Sequence, residues 1–138
     1  GSGVAWLIML LAGVLGNACE ALVIGPGRLA VGASTATFGA LGALGVLQTL
    51  RKWGGWRDAR SVFSRTWIPV GAAGALLGWM GSGPRADIAG HVFGFCAGML
   101  LALLVSPLLR RKAAWYWHLL AGLVATGALA LAWHLARL

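Results

Sequence analysis

Two residues stand out chemically against their surroundings. Ser34 lies in Gly32-Ala33-Ser34-Thr35-Ala36-Thr37-Phe38-Gly39, and His91 lies in Ala89-Gly90-His91-Val92-Phe93-Gly94-Phe95-Cys96-Ala97-Gly98. Each sits a few residues inside an otherwise apolar segment. A hydroxyl is a weak nucleophile until a neighbouring base takes its proton, and imidazole is the commonest such base. Brought together, the two form a serine nucleophile with its general base. Each also has a plainer reading. Serine is a frequent packing residue in membrane helices, and a histidine near a helix end is often a satisfied polar group. An ionisable side chain inside a membrane segment nevertheless raises a functional hypothesis by default.

The elements that must position them are membrane helices. Of 138 residues, 59% are hydrophobic and 10% charged, whereas a soluble domain carries about 25% charged residues. The expected fold class is all-α, a polytopic transmembrane helix bundle with one domain over residues 1–138. The net charge is +8, from 11 Lys and Arg against 3 Asp and Glu. In a soluble chain that excess would suggest nucleic acid. Here the basic residues cluster between apolar runs, so they set orientation and meet anionic lipid, and no nucleic-acid partner is expected. Cys19 and Cys96 form no CxxC pair and read as small apolar fillers, with no disulfide, metal or other cofactor implied. No basic stretch precedes the first apolar run, so that run is expected to stay in the membrane and not to be cleaved as a signal.

Five apolar runs cover roughly residues 4–21, 31–50, 67–80, 88–109 and 113–136. About 20 residues of helix cross about 30 Å of hydrocarbon, so about five spans are expected, with the first and third runs short. The last run, 113–138 with its tail, reads as an additional C-terminal transmembrane helix. The first linker carries Glu20 and Arg28 around a Gly25-Pro26-Gly27 turn signal. The second carries Arg51, Lys52, Arg57, Arg60 and Arg65 against Asp58. The third, from Gly81 to Asp87, is nearly neutral, and the fourth holds Arg110, Arg111 and Lys112. Positive residues in short loops face the cytoplasm. Linkers two and four are therefore cytoplasmic, as is the N-terminus, and the C-terminus is outside. Trp53, Trp56, Trp67, Trp79, Trp115, Trp117 and Trp133 fall near run ends, as an interfacial aromatic belt does.

This orientation puts the starts of the second and fourth runs on the same outer face. Ser34 and His91 are each about one turn from those starts, which places both about 5 Å below the helix ends. Gly90, Gly94 and Gly98 recur at spacing four in the fourth run, and the second run is equally rich in small residues, Gly39 among them. Small residues at this spacing let helix backbones approach closely. Two such faces would bring Ser34 near His91. Asp87 reads as the N-cap of the fourth helix and is also spaced to orient the imidazole. His118 and His134 read as interfacial, Glu20 as lying at the outer water boundary, and Asn17 as capping or hydrogen-bonding within the bundle.

The stretch Gly32-Ala33-Ser34-Thr35-Ala36-Thr37-Phe38-Gly39 resembles the GxSGxxxG motif of rhomboid intramembrane serine proteases, and Ala89-Gly90-His91-Val92-Phe93-Gly94 with Gly98 resembles that family's AHxxGxxxG helix. The order of the motifs and the basic loop between them also fit. The resemblance implies a Ser34 nucleophile and a His91 base, a dyad needing no third carboxylate. It implies Gly32, Ala33 and Thr35 around the oxyanion, and Gly39, Gly94 and Gly98 as helix-packing positions. The third run and the loop 81–87 then correspond to the family's mobile helix and cap. The expected activity is endoproteolysis of transmembrane protein substrates near the outer face of a bacterial inner membrane. Three features depart from the pattern: Thr35 stands where the family usually has Gly, and Gly90 where it usually has Ala. The family's first two helices, which carry an HxxxN motif that assists the oxyanion, have no counterpart, so the chain reads as family helices three to six plus a seventh. Each lost oxyanion donor lowers the rate by about 10² to 10³. One alternative is a catalytically silent rhomboid-like protein that binds transmembrane helices. A second is a small membrane subunit or transporter component.

Overall fold

The computed structural model describes residues 2–25, 33–53, 59–80, 87–109 and 115–138. It is all-α. Five helices follow one another: α1 (Ser2–Ile24), α2 (Ser34–Trp53), α3 (Ala59–Met80), α4 (Ile88–Leu109) and α5 (Trp115–Leu135). Long apolar runs form helices here because backbone groups in lipid must be satisfied within the segment. Three helices are long and apolar enough to cross a membrane by length and composition: α1, α4 through Pro107, and α5. Of the other two, α3 has the short apolar run that the sequence suggests, whereas α2 differs from the expectation of a self-sufficient span. The apolar part of α3 runs only from Val70 to Trp79. α2 is rich in glycine and carries Gln48, Thr49, Arg51 and Lys52 towards its end. It packs against α1, α3 and α4, and this enclosure spares it the hydropathy that a lipid-exposed span requires.

Glycines set the architecture. A β-carbon on Gly98 would collide with the Gly39 carbonyl, and one on Gly94 with the Thr35 carbonyl. One on Gly42 would strike the Phe95 carbonyl, and one on Gly39 the Ala12 methyl. Gly94 therefore lies over Thr35 and Gly98 over Gly39, one turn further along each helix, so α2 and α4 run parallel. α1 runs against them: Gly16 meets Gly94 and Thr35, Gly13 meets Ala36, and Ala12 meets Gly39. α1, α2 and α4 thus form a tightly closed triangle. Ile8, Ala43, Val46 and Ala102 fill its far end. α3 packs on α2 through Phe38, Ala73 and Phe95, with Leu41, Leu77 and Met99 around them. Among the described residues α5 touches α1 alone, where a β-carbon on Gly3 would collide with the His118 carbonyl.

The helix ends have local explanations. α1 stops at Gly25, whose φ of 95° is one that glycine adopts freely. Its N–H donates to the Ala21 carbonyl at 3.2 Å, the single bond of a left-handed C-cap. Pro26 and Gly27 of the same turn signal lie outside the described residues. Near the end of α4, Pro107 has no N–H to give to the Leu103 carbonyl. Ser106 Oγ donates to that same carbonyl at 2.8 Å, so the apolar helix continues past the proline without an orphaned acceptor. Trp79, Trp115, Tyr116, Trp117 and Trp133 are exposed at helix ends. Trp56 lies outside the described residues. Cys19 and Cys96 are exposed on their helices and do not fill the interior as expected, because the triangle already closes on glycine and alanine.

The close approach is open to test by thermal melting of the detergent-solubilised protein. Gly98→Ala is expected to destabilise by about 1–3 kcal/mol or more, the usual cost of overpacking. Gly71→Ala, at a site where a β-carbon meets nothing within 4 Å, is expected to leave the melting temperature nearly unchanged.

Candidate active site

The site is built at the end of the triangle where α2 and α4 begin and α1 ends. Ser34 is the first residue of α2, not one turn inside it as the sequence suggests. Ala33 precedes it, and its carbonyl accepts both the Thr37 N–H and the Thr37 hydroxyl, each at 3.0 Å. Alanine offers no side-chain oxygen to cap a helix. The first backbone N–H groups of α2, that of Ser34 included, have no intrahelical partner. They form the positive end of a helix dipole, the kind of place that favours developing negative charge. Gly32 lies outside the described residues, as do residues 81–86 of the expected cap.

His91 sits one turn inside α4. Asp87 caps that helix: its Oδ1 accepts from the Gly90 N–H at 2.9 Å, and its carbonyl accepts from the His91 N–H at 3.0 Å. Its other oxygen, Oδ2, is buried and makes no hydrogen bond. The carboxylate therefore holds the helix end and not the imidazole. His91 itself is only 5% exposed.

The two residues reach similar depths through the helix register, although their places in their helices differ. With Gly94 set over Thr35, α4 begins about 7.5 Å further out than α2 at 1.5 Å per residue. His91 lies three residues before Gly94 and Ser34 one residue before Thr35, a difference of about 3 Å along the axis. They also share a face. Phe38 is one turn after Ser34 on α2, and an aromatic side chain in a helix leans back toward the preceding turn. Its ring centre is 4.4 Å from that of His91, tilted by 44°. The imidazole is thus held against the face of α2 that carries Ser34. Sequence reasoning missed Phe38. Its spacing of four from Ser34 was the available signal.

Both departures from the expected motif have neighbours that accommodate them. A β-carbon on Gly90 would collide with Asp87 Oδ2 and lie 2.9 Å from Glu20 Oε2. Glycine at 90 leaves room for those carboxylates. Glu20 is 4% exposed, so it does not lie at the water boundary as expected. It stands one turn after Gly16, on the α1 face that packs onto α4. Thr35 is also 4% exposed. Its methyl, Cγ2, lies 2.7 Å from where a β-carbon on Gly16 would be and 2.8 Å from the equivalent point on Gly94. The branched side chain is sunk between α1 and α4. Asn17 is exposed and does not serve within the bundle. His118 is half-buried, with its Nδ1 buried and making no hydrogen bond. His134 is exposed near the end of α5.

An all-α bundle with three helices long and apolar enough to cross a membrane is that of an integral membrane protein. A family model, the Rhomboid domain, matches residues 1–108, and the chain belongs to the rhomboid family, which contains intramembrane proteases and inactive relatives. The match ends inside α4, and α5 lies beyond it. No match is found among curated proteins or among solved structures.

The capping assignment makes a stability prediction. Asp87→Ala is expected to cost about 1 kcal/mol and Asp87→Asn only a few tenths, since asparagine caps nearly as well. Melting of the two variants in the same detergent checks it.

Proposed function

We propose that the chain is an intramembrane serine endopeptidase that cleaves transmembrane protein substrates near the outer face of a bacterial inner membrane. The observation that carries this reading is the packing of the His91 ring on Phe38, one turn from Ser34 on the same face of α2. In this reading His91 takes the proton from Ser34 Oγ as that oxygen attacks a substrate carbonyl. The negative charge that develops on the carbonyl oxygen falls at the start of α2, where the Ser34 N–H points outward without a helical partner. Gly32 and Ala33 shape the chain around that oxygen, and Thr35 fixes the turn below it. His91 then returns the proton to the leaving amine, and water, activated by the same imidazole, releases the acyl group. The chain acts as one unit over residues 1–138, with α5 an added helix against α1. The bilayer is the working medium, and no cofactor takes part.

Thr35 is the feature that favours a silent, helix-binding relative instead. Its side chain packs between Gly16 and Gly94, which supports the active reading.

A fluorophosphonate reagent applied to the detergent-solubilised protein tests the assignment. Wild type is expected to be labelled and Ser34→Ala to be unlabelled. His91→Ala is expected to react about 10² to 10⁴ more slowly, the usual contribution of a general base. Label persisting in Ser34→Ala would overturn it.

A further inference from the structure

The start of α2 has an unusual combination of features. Its N-cap is alanine, so no side-chain oxygen holds the first turn. A helix end without a cap frays, because its first donors have no partners and its nucleating turn is weakly held. Yet this turn carries Ser34. The contacts that compensate come from the next residue. The Thr35 methyl fills the space that β-carbons on Gly16 of α1 and Gly94 of α4 would otherwise occupy, and the Thr35 carbonyl lies against Gly94 as well. A β-branched side chain, stiff at χ1, is suited to that position. The side chain of Thr35 is therefore gripped by two neighbouring helices and its carbonyl by α4.

We infer that Thr35 is a positioning residue: its methyl is a key, set into a lock formed by Gly16 and Gly94, that holds the uncapped first turn of α2 and so fixes the aim of Ser34. The inference rests on the Ser34–His91 reading for its catalytic meaning, but the clamp itself does not. It also reverses a natural expectation. Glycine at position 35 would match the family motif better, yet here it would empty the lock and loosen the nucleophile. The methyl matters and the hydroxyl does not, so valine substitutes for threonine and serine does not.

The test uses the full chain with Thr35→Gly, Thr35→Ser and Thr35→Val, read in two ways. The first is hydrogen exchange at the Thr37 and Phe38 amides. Exchange is expected to quicken at least about tenfold over wild type in Thr35→Gly and Thr35→Ser, and to stay within about threefold in Thr35→Val, with amides in the middle of α4 unchanged as a control for global unfolding. The second is fluorophosphonate labelling of Ser34, analysed for reagent affinity and maximal rate separately. The maximal rate is expected to fall at least about tenfold in the first two variants at little changed affinity, and to be kept in Thr35→Val. Thr35→Gly exchanging at the wild-type rate overturns the clamp. So does Thr35→Val behaving as Thr35→Gly, and so does Thr35→Gly labelling as fast as wild type. Wild type failing to label would overturn the dyad reading and leave the clamp to be decided by exchange alone.

Discussion

Backbone-to-backbone contact among α1, α2 and α4 is the constraint on which the rest of the molecule depends. In lipid there is no hydrophobic gain from bringing apolar helices together, so association rests on close packing and interhelical polar contact. Here the packing runs through carbonyl oxygens. Gly98 rides on the Gly39 carbonyl, Gly94 on that of Thr35, and Gly42 on that of Phe95. A single methyl at one of these points would push the helices apart. Because the contacts repeat at one-turn spacing along both helices, they fix the axial register as well as the distance. That register sets α4 further out than α2 and so brings a histidine one turn inside its helix close to the depth of a serine at the very start of another. Depth, face and separation at the site follow from where the glycines fall.

The same economy explains how unusual residues are tolerated near Ser34 and His91. A buried carboxylate on α1 needs room, and glycine at position 90 supplies it beside Glu20 and Asp87. A branched residue after the serine needs a slot, and Gly16 with Gly94 supplies it. Neither substitution reads as damage once its neighbours on the other helices are considered. Position 90 is coupled to position 20, and position 35 to positions 16 and 94, across helix seams that local sequence comparison does not join.

Much of the fold was legible in the sequence because its signals are local. Apolar run length gives four of the five helices to within about three residues, spacing-four glycines give the packing face of α4, and Asp87 announces the N-cap; α3 begins at Ala59, well before its apolar run, and takes in Arg60 and Arg65 that read as linker. What was not legible depends on contacts between distant segments. Ser34 was placed one turn inside a helix because apolar residues continue upstream of it, whereas the helix begins at Ser34 itself. Glu20 was assigned to water by its charge, although its spacing from Gly16 puts it in a seam. Cys19 and Asn17 were assigned inward roles by type, while α1 turns both outward. α2 was read as a span like the others, although it is enclosed by three helices and need not be apolar all round. Phe38 was given no role. Its place against His91 appears only once α2 and α4 are known to be parallel and in this register.

Disulfide trapping between positions 34 and 91 is the most direct measurement of that register. With Cys19 and Cys96 replaced by alanine, Ser34→Cys with His91→Cys is expected to cross-link rapidly under mild oxidation in detergent. Thr37→Cys with His91→Cys, which places one thiol on the exposed face of α2, is expected to remain open. Failure of the 34/91 pair to link, or equal linking from position 37, would contradict the account, because the glycine seam would then not turn the serine face of α2 toward the histidine.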